Sequence, residues 1–296
     1  MNVETADDKQ LGMNAAEIAR GDRFQFGENW SRFVALVDDS RIIEAENSLK
    51  NMLEVESLSG KTFLDIGSGS GLFSLAARRL GARVHSFDYD PQSVFCTTEL
   101  KKKYFANDEN WIVEEGSVLE SEYVNSLGQF DVVYSWGVLH HTGQLWNAME
   151  NAQRRVAPGG KFFIALYNDT GSQSARWHWI KKTYNGLPRF LQIPFAILVT
   201  IPGELKLIAS SILLLNPRRY TETWTSYGRN RGMSKWRDII DWVGGYPYEV
   251  SKPDDVFDFC KLRGFRLTKL KCGNVGLGCN EFVFVRSGDY DRRHNE

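Results

Sequence analysis

The sequence predicts an α/β fold built on a doubly wound, mostly parallel sheet, and three observations predict it. From residue 62 to residue 167, five short apolar runs alternate with helical patterns, the rhythm of parallel strands joined by crossover helices. The first run, Thr62–Ile66, opens onto Gly67-Ser68-Gly69-Ser70-Gly71 and then a helical pattern from Leu72. So bare a loop brings backbone N–H groups and a helix N-terminus against a ligand. Near the C-terminus two alternating runs, Phe265–Lys271 and Glu281–Arg286, are joined through the glycine loop 272–278, a natural antiparallel edge for a parallel sheet.

Taken in order, residues 1–20 are polar and acidic with no apolar stretch, so they read as a frayed arm rather than a signal peptide. Phe24, Phe26, Trp30 and Phe33 place four aromatics in ten residues, a lid or a packed segment. Ile42, Ala45, Leu49, Met52 and Leu53 have helical spacing. Strands are expected at 62–66, 83–87, 111–115, 130–136 and 161–167, with helices at 72–80, 91–103, 119–127 and 144–156 between them. Pro91 suits a first helical turn, and Gly81 and Pro158-Gly159-Gly160 suit helix ends. After Asn168 some seventy residues lack a clear strand, too many for a connection and so an insertion. A helix from Pro253, with Asp254 and Asp255 in its first turn, returns the chain to the sheet. The expectation is a Rossmann-like sheet of about seven strands with a helical insertion after strand 5. Residues 1–58 form an arm and helical cap, 59–168 and 250–288 the core, and 169–249 the insertion.

Composition narrows the class. The chain has 42% hydrophobic and 25% charged residues, and a net charge of −1 gives no global pull to nucleic acid or membrane. Cys96, Cys260, Cys272 and Cys279 form no CxxC pair, which suggests reduced thiols in a cytoplasmic protein, with no metal site.

The glycines fall as G-x-G-x-G, and Leu72 stands where a dehydrogenase fingerprint would place its third glycine. Asp88 ends strand 2, seventeen residues past Gly71. An acid there can accept both ribose hydroxyls of a nucleotide, with Tyr89 beside it; the plainer role, capping the helix at Pro91, suits Asp90 better. Ser117 and Val118 after strand 3 suit an adenine edge and face, or simply a turn and a core valine. Trp136, His140 and His141 follow strand 4, where open α/β sheets bind ligands.

Together FLDIGSGSG, FDYDP, EEGSV, FDVVYSWGVLHH and VAPGGKFFIALYN resemble the class I S-adenosylmethionine-dependent methyltransferases, and look most like bacterial enzymes similar to the ubiquinone-biosynthesis O-methyltransferases. The resemblance covers about residues 62–167 and extends to the last two strands. It implies S-adenosyl-L-methionine as cofactor, with Asp65, Gly67, Ser68, Gly69 and Gly71 at its amino-acid part, Asp88 at the ribose, and Ser117 and Val118 at the adenine. Ser117 departs from the Asp that many members carry. Methyl transfer is an in-line displacement dominated by positioning. Trp136, Phe26 or Trp30 could face the sulfonium cation, and His140 or His141 is the candidate base for a hydroxyl acceptor, though a histidine here can equally be structural.

The insertion carries the acceptor question. Between Arg176 and Arg231 nine Lys or Arg face two Glu. Phe190–Gly203 is an uncharged fourteen-residue run broken by Pro194 and Pro202, followed by the apolar-patterned Leu205–Leu215. Fourteen residues are too few for a membrane span. A basic-flanked apolar helical hairpin across 187–215 suits a membrane surface or a lid over an apolar or lipid-linked acceptor; packing on the core or on a second subunit is the alternative. Arg231, Trp236, Asp241 and Tyr246 are candidate acceptor contacts. The expected activity is O-methylation of a small or lipid-linked acceptor, with nucleic acid disfavoured. An RNA-modifying methyltransferase and a non-catalytic cofactor-binding module are the other readings.

Overall fold

The computed structural model describes residues 37–216, 218–225, 235–273 and 277–288. Its centre is one seven-stranded sheet in the order β3-β2-β1-β4-β5-β7-β6, comprising β1 (Thr62–Ile66), β2 (Arg83–Asp88), β3 (Trp111–Glu115), β4 (Phe130–Trp136), β5 (Val156–Tyr167), β6 (Phe265–Lys271) and β7 (Cys279–Arg286). β1 to β5 are parallel, and β7 runs antiparallel between β5 and β6. This is the expected doubly wound sheet with an antiparallel edge.

Period-2 side-chain alternation assigns each strand residue to a layer. Phe63 packs with Leu75, Leu100, Trp111 and the inner face of α1 (Asp39–Leu53) on one side. Leu64 and Ile66 pack with Met149, Phe162 and Val256 on the other. The first layer holds α1, α2 (Leu72–Arg79) and α3 (Pro91–Tyr104); the second holds α5 (Leu145–Gln153) and, later in the chain, a helix over Pro253–Lys261. The short α4 (Ser121–Ser126) and a 3-10 turn at Leu139–His141 carry the chain between strands. Asp90 caps α3 through its carboxylate, which accepts from Gln92 N–H at 2.9 Å.

The insertion comprises α6 (Ser172–Gly186), α7 (Arg189–Leu213), α8 (Arg218–Thr225) and α9 (Lys235–Gly244), so the helix over Pro253–Lys261 is α10. Its two ends meet: Asp169 N–H donates to Ser251 O and Ser251 N–H to Tyr167 O. The sheet therefore continues undisturbed around it. Inside, Ile180, Tyr184, Ala196 and Val243 form a separate small core. Lys181 is buried at its centre, its ammonium donating to Trp242 O and lying 4.4 Å from the Trp242 ring centroid. Burial pushes that amine down to about 7.

One expectation is corrected. The prolines do not divide 187–215 into a hairpin; α7 is a single helix of 25 residues containing Pro194 and Pro202. Both prolines are exposed, so the carbonyls they deprive of an N–H partner can be hydrated.

At the turn from β1 to α2, Gly71 has φ +78, and an added Cβ would lie 2.9 Å from Thr97 Cα. Both the left-handed backbone and the close approach of α3 demand glycine. Gly71→Ala is therefore expected to lower stability by about 1–3 kcal/mol, read from urea unfolding midpoints; an unchanged midpoint would contradict this packing.

Candidate active site

The strands end at a cavity of about 900 Å³. It is lined by the β1–α2 loop, the ends of β2, β3 and β4, His141 of the 3-10 turn, and Asp238, Asp241, Trp242 and Tyr246 from the insertion. Its polarity is one-sided. Asp65, Asp88, Asp90, Asp238 and Asp241 contribute carboxylates, and no Lys or Arg is among the described lining residues.

Asp65 is buried at the carboxyl end of β1. A chain of donors points at it. Trp111 Nε1–H donates to Ser86 Oγ at 2.9 Å, Ser86 and Ser74 hydroxyls lie 2.7 Å apart, and Ser74 Oγ donates to Asp65 Oδ2 at 2.5 Å. Ser74 gives its single proton to Asp65, so it must accept from Ser86, which itself accepts the indole N–H, and every dipole favours the carboxylate. Burial still wins, raising the Asp65 carboxyl to about 7 against the Ser74 hydrogen bond, with the Asp88 charge adding to the rise.

Asp88 ends β2. Its Oδ2 accepts Gly69 N–H and its Oδ1 accepts Asp90 N–H, both at 2.9 Å. Burial raises this carboxyl to about 6, opposed by those backbone donors. Gly67 must be glycine here: φ is +76, and a Cβ would lie 2.4 Å from Val138 Cγ1.

The two histidines part company. His141 lines the cavity. Its Nδ1 lies 2.7 Å from Pro247 O; a carbonyl only accepts, so Nδ1 carries the proton and the neutral ring's lone pair is on Nε2. Burial, then the Lys181 cation, push this imidazole down to about 3, against the Pro247 hydrogen bond. His140 is fully buried and off the cavity wall, its ring 3.9 Å from that of Tyr167, with Nδ1 accepting Tyr167 N–H at 3.4 Å.

Comparison with known proteins gives the site its family. A family described as "Methyltransferase domain" matches residues 43–193, just over half of the chain. The chain belongs to that methyltransferase family. The methyltransferase is 31% identical over 121 residues to a ubiquinone biosynthesis O-methyltransferase of Methylobacterium sp. (strain 4-46), covering 41% of this chain and 47% of that one. It is 32% identical over 112 residues to a tRNA U34 carboxymethyltransferase of Klebsiella pneumoniae subsp. pneumoniae, covering 37% and 32%. It thus spans about half or less of the length of these curated relatives. In fold it is similar to magnesium protoporphyrin IX methyltransferase from Synechocystis PCC 6803, with a TM-score of 0.51 at 14% identity over 83% of each chain. The methyltransferase therefore has the class I fold, whose cofactor is S-adenosylmethionine.

The residues of this chain fit that cofactor. A cation with hydroxyl and ammonium donors suits a wall of carboxylates, and Asp88 keeps lone pairs to spare after its two backbone bonds. Of the sequence-derived cofactor residues, Asp65, Gly67, Ser68, Gly69, Asp88, Tyr89, Ser117, Val118 and Trp136 line the cavity. Gly71 stands behind the wall, packed on Thr97. Among the acceptor candidates Tyr246 and Asp241 line it and Trp236 does not. Trp236 lies two residues before Asp238, about 200° around α9. Phe26, Trp30 and Arg231 lie outside the described residues.

Sequence reasoning missed several participants. Asp238 and Trp242 share a face of α9 with Asp241 at i, i+3 and i+4, a legible signal. Tyr134 also lines the cavity, and its buried hydroxyl has no partner among the described residues. The Trp111–Ser86–Ser74 chain joins residues distant in sequence and left no local pattern.

The raised carboxyls give a signed pH dependence. Both folded values lie above the ordinary 3.8, so in the empty protein their favourable contribution is present below about pH 4 and is lost as pH rises through 6 to 7. A ligand donating to the carboxylates favours the ionised forms and offsets that loss. The thermal shift caused by S-adenosylmethionine should therefore grow between about pH 5 and about pH 8, and Asp88→Asn should be weaker and flatter. A shift independent of pH in the unmodified protein would contradict these assignments.

Proposed function

We propose that this methyltransferase methylates a hydroxyl oxygen of a small or lipid-linked, uncharged and largely apolar acceptor. The observation that carries this reading is the cavity wall: five aspartates, no described Lys or Arg, and the aromatic faces of Trp136, Tyr167, Trp242 and Tyr246. Such a wall disfavours a phosphate or carboxylate next to the reacting atom and suits a ring bearing hydroxyl donors. The ubiquinone biosynthesis O-methyltransferase relatives support the same chemistry.

When bound, S-adenosylmethionine would supply an electrophilic methyl, with the electron pair of the carbon–sulfur bond left on sulfur as the acceptor oxygen takes the methyl. The chain positions the two partners. Asp65 and Asp88 with the glycine loop hold one end, and the indole of Trp136 presents a π face suited to a sulfonium. His141 is on the acceptor side. With Nδ1 tied to Pro247 O, its Nε2 accepts the hydroxyl hydrogen bond and takes the proton as charge develops. Burial beside Lys181 keeps the ring neutral through the physiological range and makes it a weak resting base. Its main contribution is to orient the hydroxyl. His140, behind Tyr167, supports that wall.

The test is transfer of labelled methyl to an extract separated into lipid, small-molecule, RNA and protein fractions. Label should enter the organic-extractable or small-molecule fraction, and His141→Ala should lower its rate by roughly 10²-fold or more while cofactor affinity changes little. Label in RNA would favour the chemistry named for the tRNA-modifying relatives. No label in any fraction would leave a cofactor-binding module.

A further inference from the structure

We propose that the outward face of α7 lies on the surface of an anionic phospholipid bilayer without crossing it. The face is unusual for a water-exposed helix. Phe190, Ile193, Ile197, Leu198, Ile201, Leu205 and Ile212 follow i, i+3, i+4 spacing along one side, and Phe190, Leu198 and Ile212 are 77%, 65% and 66% exposed. Nothing among the described residues covers them. Water rarely faces so continuous an apolar stripe on a soluble protein. The opposite side is committed to the fold: Ala196 is fully buried, and Phe195 and Val199 pack into the insertion core. Glu204, on the stripe's own side, is paired with Lys235 at 2.7 Å.

By length and composition α7 could cross a membrane, but the topology forbids it. The chain enters α7 from β5 and returns to β6 and β7, and β7 pairs directly with β5. A single crossing would put neighbouring strands of one sheet on opposite sides of the bilayer. Among the described residues no second helix is long and apolar enough to bring the chain back. The helix must therefore lie flat, its apolar stripe in the interface and its committed side on the protein.

Charge selects the occupant. From Arg176 to Thr225, the buried Lys181 aside, six Lys or Arg stand against Glu204 and Glu222. Arg189 and Arg218 are exposed just before and just beyond the stripe, and Arg176 and Lys182 are exposed on α6. Such flanks complement anionic headgroups. A second copy would meet them badly, because a two-fold interface sets the same basic patch against itself. The docking has a consequence for the acceptor. α9 packs against α7 in the insertion core and turns Asp238, Asp241 and Trp242 into the cavity. The acceptor wall therefore lies one helix away from the lipid, suitably placed to receive an apolar molecule held in the bilayer. The docking itself does not depend on the acceptor's identity.

Flotation of the full chain with vesicles of equal parts phosphatidylglycerol and phosphatidylcholine tests it. The protein should float with these vesicles, lose most of its bound fraction at high salt, and remain at the bottom with pure phosphatidylcholine. Ile197→Glu/Ile201→Glu, on exposed positions, should lose binding to the anionic vesicles while keeping its S-adenosylmethionine dissociation constant, which separates loss of docking from loss of fold or cofactor site. Protein that stays at the bottom with anionic vesicles overturns the proposal, and so does a variant that floats as well as the unmodified chain. A dimer in sedimentation velocity that the variant dissolves would assign the face to a second copy instead.

Discussion

Two carboxylates drawn out of water at neighbouring strand ends, Asp65 buried and Asp88 half-buried, impose the constraint from which the rest of this structure follows. Asp65 and Asp88 sit at the ends of adjacent parallel strands; burial raises both carboxyls, the Asp88 charge adding to the rise at Asp65 and the Asp90 charge to the rise at Asp88. A fold tolerates such a pair only when donors are aimed at both. At Asp88 the donors are backbone N–H groups, including that of Gly69, which explains why the loop must be glycine-rich and tightly turned. At Asp65 they are relayed through Ser74 and Ser86 from the indole of Trp111. The relay links α2, β2 and β3 to β1, so the first layer of the core and the cavity wall are one construction. A site left electrostatically unfinished in this way is suited to a ligand that brings cationic charge and hydroxyl donors.

The insertion finishes the cavity from the opposite side. Because its ends meet at Asp169 and Ser251, a long excursion is grafted on without breaking the sheet. Its small core then aims one face of α9 at the cavity and leaves one face of α7 turned outward. Lys181 joins these roles. It bonds to Trp242 O, beside the cavity, and its charge adds to the burial that keeps His141 in the neutral form. The acidity of the wall comes from both halves of the molecule, with Asp65, Asp88 and Asp90 from the core and Asp238 and Asp241 from the insertion.

Much of this was legible in the residues. The five parallel strands, the glycine loop, Asp88 and the antiparallel edge each announce themselves through local patterns of two to fifteen residues, and the structure has them where expected, except that β5 begins at Val156 and takes in Pro158-Gly159-Gly160, which had the pattern of a helix end. What was not legible depends on contacts between distant segments. Two prolines and a glycine looked like helix breakers within 187–215, yet α7 continues because both prolines face outward. His140 and His141 were indistinguishable as neighbours; one residue of rotation puts the first behind Tyr167 and the second in the cavity. Trp236 had suitable chemistry but the wrong angle on α9, whereas the i, i+3, i+4 set of Asp238, Asp241 and Trp242 could have been read from spacing alone. Ser74, Ser86 and Trp111 are ordinary residues in their own elements and gain meaning only across three strands.

The central claim is that this wall of carboxylates and bare backbone selects a sulfonium nucleoside. Isothermal titration of the full chain with S-adenosylmethionine and, separately, with NAD measures it most directly. Saturable binding of S-adenosylmethionine and none of NAD is expected, since Leu72 stands where a dinucleotide loop needs glycine and the acidic wall opposes a pyrophosphate. Binding of NAD without binding of S-adenosylmethionine would contradict it.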